Sequence, residues 1–418
     1  MSRRLILLMA LACGVGVANV YFVQALIPLI SRGLHVSLGA AAFVATASQV
    51  GYAAGIFLLV PLGDRFPRRP LIAVLFGVVA VGLVLAGVER SLPPLLLLGV
   101  LVGAATVVPQ ILIPMAADLD GGKAGTVGVL QGGLLGGVLL ARTFGGVLGQ
   151  WVGWRAPYLV AGALAVLLAV VLATVLPSTA SGTRHSYPAL LGTTLDLVRR
   201  QPALRRSGLY QALLFGGFSA AWTSIALLLT GPTYRFGTGV VGLVALVGAA
   251  SVLIVPMTGR LIDRRGPDIV NTLCFVGMGL AALVLLAGLI RGPVGLAGLV
   301  VGMVLMDVSV QSSQVANQAR IFALVPTARS RLNSAYMTAV FLGGSAGSWV
   351  GVRVYLSFGW AGVCALVALA GLAALVTHVS GRRELSVVDS SLTECRPEQA
   401  GMVIRGDHDE DCVAVDPA

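Results

Sequence analysis

Long apolar runs with almost no charge fill this chain from Leu5 to Val379, and they limit the possible folds more than any other feature. Hydrophobic residues make up 57% of the 418 residues and charged residues only 11%, whereas a soluble domain has roughly 25% charged residues. A transmembrane helix needs about 20 apolar residues to cross roughly 30 Å of hydrocarbon. The strands of a membrane β-barrel alternate and run only about 10 residues, so they do not fit these runs. The sequence therefore predicts an all-α integral membrane protein.

The apolar runs number twelve, with six in each half of the chain. The predicted spans are 5–30, 38–62, 71–88, 95–116, 127–150, 156–176, 208–230, 239–258, 269–290, 294–319, 332–352 and 361–379. The predicted domains are an N-terminal six-helix bundle (1–176), a basic cytoplasmic linker (177–207), a C-terminal six-helix bundle (208–380) and a disordered acidic cytoplasmic tail (381–418).

The formal charge of +11 could indicate a nucleic-acid partner, but its distribution indicates membrane orientation instead. With both termini in the cytoplasm, the inside segments up to Arg383 hold 19 Lys and Arg, and the outside loops hold six. This asymmetry follows the positive-inside rule. We therefore expect a multi-pass protein of the inner (plasma) membrane with no nucleic-acid partner, whose basic linker contacts anionic membrane lipid.

A charged turn occurs twice, at equivalent places in the two halves. Residues 60–69 read Val-Pro-Leu-Gly-Asp-Arg-Phe-Pro-Arg-Arg, and residues 259–267 read Gly-Arg-Leu-Ile-Asp-Arg-Arg-Gly-Pro. Three residues of the first turn recur 199 positions later: Leu62, Asp64 and Arg65 recur as Leu261, Asp263 and Arg264. Such a repeat indicates two similar halves, which is how many transporters are built.

Two ionisable residues lie at bilayer depth. Arg142 is about 12 Å below the outer end of its span at about 1.5 Å per residue, too deep for comfortable snorkelling. A charge at that depth costs roughly 2.5–3.5 kcal/mol, so it needs an acid, carbonyls or water as a partner. Asp307 is the one carboxylate within the predicted spans. We predict that both border a water-filled passage, with roles in proton coupling or gating. A structural ion pair is the alternative for Asp307, and snorkelling is the alternative for Arg142.

Several polar residues of the spans are candidates for a substrate cavity. Asp307 is followed by three glutamines at spacings of four, three and four, which place all four residues on one face of a helix. Because so polar a stripe cannot face lipid, it must face other helices or water. Trp222 and the remaining polar residues could equally serve helix packing and hydrogen bonding between helices. The candidates are Asn19, Gln24, Gln49, Gln110, Trp222, Gln311, Gln314 and Tyr336.

The turn at 60–69, its repeat and the twelve spans resemble the major facilitator superfamily over residues 1 to 380. The superfamily's signature loop reads Gly-x-Leu-x-Asp-Arg-x-Gly-Arg-Arg. Val60 and Pro67 replace its two glycines here, and five residues of the pattern remain: Leu62, Asp64, Arg65, Arg68 and Arg69. The resemblance implies that these loops latch the cytoplasmic side closed. The implied latch residues are Asp64, Arg65, Arg68, Arg69, Asp263 and Arg264. Because the N-terminus of a helix attracts negative charge, Asp64 can meet the start of span eleven and Asp263 the start of span five.

The fifth span resembles the drug/proton antiporter branch in part. That branch usually carries Gly-Pro-x-x-Gly-Gly there, and residues 141–146 read Ala-Arg-Thr-Phe-Gly-Gly. The branch also carries an arginine in span four, where this chain has Gly99. Arg142 could supply the missing positive charge. The overall resemblance is to bacterial efflux permeases for drugs, sugars and nucleosides.

These features favour a secondary active transporter, namely a proton-coupled exporter of a small organic molecule that works by alternating access. An uptake or facilitated-diffusion permease of the same fold is an alternative, and so is a membrane sensor or scaffold that uses the acidic tail. An enzyme is not expected, because no nucleophile and base pair or metal cluster occurs within the spans. We expect a monomer with no cofactor and no metal, whose partners are a small-molecule substrate, protons and membrane lipid.

Overall fold

The computed structural model describes residues 1–121, 124–178, 186–325 and 328–394. These residues form helices joined by short turns, with no strand among them. The helices are α1 (Arg3–Gly33), α2 (Leu38–Leu58), α3 (Leu62–Arg65), α4 (Arg68–Val88), α5 (Leu92–Ala105), α6 (Val108–Leu119), α7 (Ala124–Val152), α8 (Arg155–Val175), α9 (Tyr187–Arg200), α10 (Pro202–Thr230), α11 (Thr238–Val247), α12 (Ala249–Leu285), α13 (Pro293–Leu324) and α14 (Arg329–Glu394), with a 3₁₀ turn at Leu286–Leu289.

The helices account for twelve membrane spans. In the described part of the chain, ten helices are long and apolar enough to cross a membrane, and one of them, Arg329–Ser380, is long enough to cross twice. It divides at Gly359, where φ is 66°. Helix α12 divides likewise at Gly266, where φ is 79°, and α11 with the first part of α12 forms the remaining span. Glycine adopts such left-handed angles without steric cost. The predicted all-α fold with twelve spans in two six-helix bundles is confirmed.

The fourth span is broken in the middle, which the sequence analysis did not predict. Helix α5 ends at Ala105, and α6 begins at Val108. The cause is Pro109, because proline has no N–H to donate and its ring clashes with the carbonyl four residues earlier. The break leaves Gln110 in the first turn of α6, where its side chain lines a cavity between helices of the two halves.

Glycines bring equivalent helices of the two halves into backbone contact. Gly14 of α1 packs against Gly133 and Gly137 of α7, and Gly216 of α10 packs against Gly347 of α14. The first span thus contacts the fifth as the seventh contacts the eleventh, in agreement with the repeat. Small residues let membrane helices approach this closely.

The contact of Gly347 gives a stability prediction. A Cβ on Gly347 would overlap the backbone of Gly216, whereas a Cβ on Gly279, in α12, would meet nothing within 4 Å. We expect Gly347→Val to destabilise the protein by about 1–3 kcal/mol through overpacking. Thermal unfolding in detergent measures this, with Gly279→Val as the matched control. Equal midpoints for the two variants would contradict the close approach.

The predicted linker and tail are partly described. Helix α9 lies within the linker, α10 begins before its predicted start at 208, and residues 179–185 lie outside the described residues. Helix α14 continues to Glu394, since no proline interrupts the chain before Pro397. The predicted tail therefore begins as a helical extension, and residues 395–418 lie outside the described residues. The residues of the sites below all belong to one compact unit, Met1–Leu375.

Candidate functional site

A cavity of about 520 Å³ lies between helices of the two halves, and we refer to it as the central cavity. The first half contributes α1, α2, α6 and α7, and the second contributes α10, α13 and α14. Asp118 and Arg329 lie at its mouth, at helix ends on the side of the 60–69 turn. We refer to this side as the predicted cytoplasmic end, and to the opposite side as the outer end.

Carboxamides and aromatic rings dominate the polar and planar surfaces of the central cavity. The carboxamides are Gln110, Gln131, Gln311, Gln314, Gln318 and Asn333, and the rings are Tyr21, Tyr52, Phe215, Phe218, Phe322 and Phe341. Hydrogen bonds connect three of the carboxamides across the two halves. Gln318 donates to Asn333 at 3.2 Å, and Asn333 donates to Gln110 at 3.4 Å. The glutamine stripe of α13 thus lies on the cavity wall.

Asp307 lies one turn before that stripe but away from the wall. Its side chain is buried, and Trp222 Nε1 donates a long hydrogen bond of 3.4 Å to Asp307 Oδ1. The other carboxylate oxygen points toward Gly248, because a Cβ on Gly248 would lie 2.6 Å from Asp307 Oδ2. The acid is therefore enclosed by α10 and by the junction between α11 and α12.

Arg142 is enclosed by aromatic rings of both halves. Its side chain is only 2% exposed, and its Nε donates to Gln24 Oε1 at 2.9 Å. The guanidinium carbon lies 4.2 Å from the ring centroid of Trp222, 5.1 Å from that of Tyr21 and 5.6 Å from that of Phe218. Desolvated cation–π contacts are worth about 2 kcal/mol or more each. The rings therefore stabilise a charge that the sequence analysis expected acids, carbonyls or water to stabilise.

Arg142 and Asp307 form no ion pair in the described structure, since no nitrogen to oxygen distance between them is within 4.0 Å. The indole of Trp222 connects them, stacking on the cation and donating to the acid. Tyr21 and Phe218 line the central cavity and also contact the guanidinium. These two rings, which we call the aromatic layer, lie between Arg142 and the central cavity. Neither Arg142 nor Asp307 is among the residues that line the cavity. Their roles in proton coupling or gating stay predictions.

Hydrogen bonds between α7 and α11 close the outer end, and we call this contact the outer seal. Thr143 Oγ1 donates to the Gly242 carbonyl at 2.7 Å, and Thr238 Oγ1 donates to the Gly146 carbonyl at 3.1 Å. The Gly239 amide donates to Gln150 Oε1 at 2.6 Å. The seal joins the two halves and begins at the residue after Arg142. This conformation is therefore open at the predicted cytoplasmic end and closed at the outer end.

Three of the eight predicted cavity residues line the central cavity: Gln110, Gln311 and Gln314. The other five lie elsewhere and are buried in the protein: Asn19, Gln24, Gln49, Trp222 and Tyr336. Gln24 and Trp222 contact the two ionisable residues instead of the cavity. Asn19 lines a groove between α1, α7 and α8, and neither amide atom of Gln49 has a hydrogen-bond partner in the described structure.

Four phenylalanines that were not predicted from the sequence line the central cavity: Phe215, Phe218, Phe322 and Phe341. Phe215 and Phe218 stack with ring centroids 5.4 Å apart, and Phe341 packs edge to face on Phe215 at 5.2 Å. A usable signal was present, because Phe215, Phe218 and Trp222 follow at spacings of three and four, which is one face of α10.

The residues of the 60–69 turn contact their own half. Arg68 forms an ion pair with Asp118 at 2.7 Å, Arg69 Nε donates to the Ala173 carbonyl at 2.5 Å, and Arg65 stacks on Phe66. Burial raises the pKa of Asp64, and the positive charges of Arg68 and of Arg331, in the first turn of α14, lower it. The predicted contact of Asp64 with the N-terminus of span eleven stays a prediction.

The second turn differs from the expected latch. Asp263 and Arg264 are exposed, and neither forms a hydrogen bond or ion pair with a described residue. The expected approach of Asp263 to the start of span five, where residues 122–123 lie outside the described residues, stays a prediction. Instead, Asp268 forms an ion pair with Arg320. This pair joins α12 to the end of α13 as the Arg68–Asp118 pair joins α4 to the end of α6. The two pairs join corresponding helices of the two halves, with the charges exchanged.

The described residues contain no cluster of histidine, cysteine and acidic side chains that could hold a metal ion.

The sequence matches the family model described as Major Facilitator Superfamily over residues 7–296. It is 40% identical over 377 residues to the uncharacterized transporter YgaY of Escherichia coli O157:H7, covering 89% of this chain and 95% of that protein. It is 29% identical over 274 residues to the chloramphenicol resistance protein of Streptomyces lividans, covering 63% of this chain and 68% of that protein. Among solved structures, the nucleoside transporter NupG superimposes with a TM-score of 0.70 at 16% identity, covering 91% of this chain and 98% of that chain.

Proposed function

Because the chain belongs to the major facilitator superfamily, we propose that this membrane transporter exports a neutral small organic molecule in exchange for protons, by alternating access to one central site. The observation that carries the proposal is the position of Asp307. It is a buried carboxylate at bilayer depth, and Trp222 links it to Arg142, which the aromatic layer separates from a cavity walled by both halves.

Alternating access is supported by the contrast between the two ends. The central cavity opens at the predicted cytoplasmic end, while the outer seal holds α7 against α11. Rocking one half against the other would break this seal and close the mouth around the same central residues. The charge of Arg331, which lowers the pKa of Asp64, supports a latch that tightens as the mouth closes.

Proton coupling is supported by the surroundings of Asp307. A carboxyl group in dry surroundings holds its proton more readily than one that faces water. Rocking of the two halves would move Trp222 away from Asp307 and expose the acid to each compartment in turn. Arg142, linked to the acid through Trp222, would favour proton release when water enters.

The substrate class follows from the wall of the central cavity. Among the described residues that line the central cavity, the acidic one is Asp118, and it already forms an ion pair with Arg68. A cationic substrate would therefore find no free carboxylate there and would approach the charge of Arg142. The carboxamides offer hydrogen-bond donors and acceptors, and the rings offer flat surfaces for stacking. A neutral molecule with a planar ring and amide or hydroxyl groups fits this wall, and chloramphenicol, after which one relative is named, has this chemistry.

We expect chloramphenicol to accumulate in inside-out vesicles when their lumen is acidified. With one proton exchanged per substrate and a difference of about 2 pH units, the limiting accumulation is roughly 100-fold, since each pH unit is worth about 1.4 kcal/mol. Nigericin, which collapses the pH gradient, should abolish accumulation, and the organic cation ethidium should not be transported. The proposal would be rejected if neutral aromatic amides fail to move under any gradient while ethidium does.

A further inference from the structure

A second cavity, of about 520 Å³, lies on the surface of the second half between α12 and α13. The parts of α12 before and after Gly266 form two of its walls, and α13 forms the third. Its apolar residues include Met257, Leu261, Val270, Leu273, Leu305 and Val308. We call this cavity the α12–α13 groove. Each wall extends over about 10 Å at about 1.5 Å per residue, so the groove is long enough for part of an extended chain.

The groove opens toward the lipid. Met257 is 66% exposed and Leu273 is 55% exposed, and both belong to segments that cross the membrane. Inside it, Thr258 and Ser312 form a hydrogen bond of 2.8 Å with each other, and Ser309 donates to the Leu305 carbonyl at 2.8 Å. These hydroxyl groups have partners within the protein, so the groove offers a mainly apolar surface.

Two arginines lie at one end of the groove. Arg260 and Arg264 line it one helical turn apart, so they lie on the same face of α12. Both are exposed, and neither has a hydrogen bond or ion pair with a described residue. They lie beside the turn at Gly266, at the predicted cytoplasmic end, where the membrane surface is rich in anionic headgroups.

We propose that the α12–α13 groove binds one anionic phospholipid of the cytoplasmic leaflet, with its phosphate between Arg260 and Arg264 and an acyl chain along the apolar walls. Two unpaired cations at the membrane surface complement a phosphodiester, and the apolar groove beyond them complements the hydrocarbon. The bound lipid bridges the two parts of α12 across Gly266 and joins them to α13. This site is independent of the central cavity and of the transported substrate.

The test is lipid retention by the full chain, measured by native mass spectrometry after extraction from membranes that contain phosphatidylglycerol and phosphatidylcholine. We expect the wild-type protein to retain one phosphatidylglycerol in preference to phosphatidylcholine. The double variant Arg260→Gln with Arg264→Gln should retain roughly 10- to 30-fold less, because each arginine near the membrane surface is worth about 1 kcal/mol and about 1.4 kcal/mol corresponds to tenfold. The control is Arg3→Gln with Arg4→Gln, which removes two exposed arginines from the start of α1, and it should retain phosphatidylglycerol as the wild type does.

A third arm separates the lipid from its headgroup. Inorganic phosphate at millimolar concentration should not displace phosphatidylglycerol, because it lacks the acyl chain that the groove holds. Displacement by inorganic phosphate would indicate a simple phosphate site in place of a lipid site and would overturn the proposal. Equal loss of phosphatidylglycerol in the two double variants would also overturn it, because it would show unspecific attraction to surface charge.

Discussion

Asp307→Asn is expected to abolish proton-driven accumulation of substrate while leaving the fold intact. Asparagine has nearly the same shape and can still accept the hydrogen bond from Trp222, but it cannot take up and release a proton. In vesicles with a difference of about 2 pH units, the accumulation ratio should fall from as much as roughly 100 toward about 1. Exchange of labelled for unlabelled substrate at equal concentrations should continue, since it needs no proton movement.

The matched control for this variant is Asp196→Asn. Asp196 lies on α9 and pairs with Arg200 one helical turn away, exposed to solvent. Its replacement should leave accumulation close to the wild-type value, because exposed pairs of this kind are worth only about 0.3–0.5 kcal/mol. Full proton-driven accumulation by Asp307→Asn would remove Asp307 from the coupling mechanism.

Arg142→Gln is expected to open the outer seal. Arg142 belongs to the first half, and two of its stacking partners, Phe218 and Trp222, belong to the second, so its guanidinium holds the halves together beside the seal. Loss of two desolvated cation–π contacts, at about 2 kcal/mol each, should shift the equilibrium toward the outward-open state by at least roughly tenfold. The measurement is the labelling rate of Thr238→Cys by a membrane-impermeant maleimide, in a background without the native cysteines.

Arg155→Gln is the control, because it makes the same chemical change at an arginine that does not join the two halves. Arg155 stacks on Trp154 and donates to the Glu89 carbonyl at 2.9 Å, and all three residues lie in the first half. The labelling rate at Thr238→Cys should therefore stay near the wild-type value. Arg142→Lys should resemble Arg142→Gln, since the ammonium group lacks the planar guanidinium that stacks on the rings. Unchanged labelling in both Arg142 variants would argue against a gating role.

Most of the fold could be predicted because membrane helices leave a plain signal in sequence. Runs of about 20 apolar residues gave the twelve spans, and the repeated turn gave the two halves. The break at Thr106 and Val107 was missed, although Pro109 marks it, because the apolar run continues through it. The extents of α10 and α14 differ from the prediction for a similar reason. A helix can continue beyond the end of its apolar run when no helix-breaking residue stops it.

The site could be predicted only in part, because polarity identifies residues but not their partners. The spacing of Gln311, Gln314 and Gln318 along α13 was enough to predict one polar face, and that face lies on the central cavity. The partners of Arg142 could not be found by searching for acids, since they are three aromatic rings and the amide oxygen of Gln24. Two of those rings come from a helix of the other half, and sequence alone does not give that proximity.

The exchange of charge between the two equivalent ion pairs was also beyond the sequence analysis. The repeat aligned Asp64 with Asp263, and this alignment suggested equal roles for them. The charges of Arg68 and Arg331 lower the pKa of Asp64, which burial raises, whereas Asp263 is exposed. The pairs that join neighbouring helices are Arg68–Asp118 and Asp268–Arg320, with opposite polarity. Corresponding helices are joined by an ion pair in each half, but the charges are exchanged and the positions are shifted by one to three residues from the repeat.

Proton release on substrate binding tests the coupling account most directly. Purified protein in a weakly buffered detergent solution is mixed with saturating substrate, and a pH-sensitive dye reports the protons released. If substrate and proton compete through Asp307, the wild-type protein should release protons near neutral pH, and Asp307→Asn should bind substrate without releasing any. Equal release from the wild-type protein and from Asp307→Asn would contradict the account.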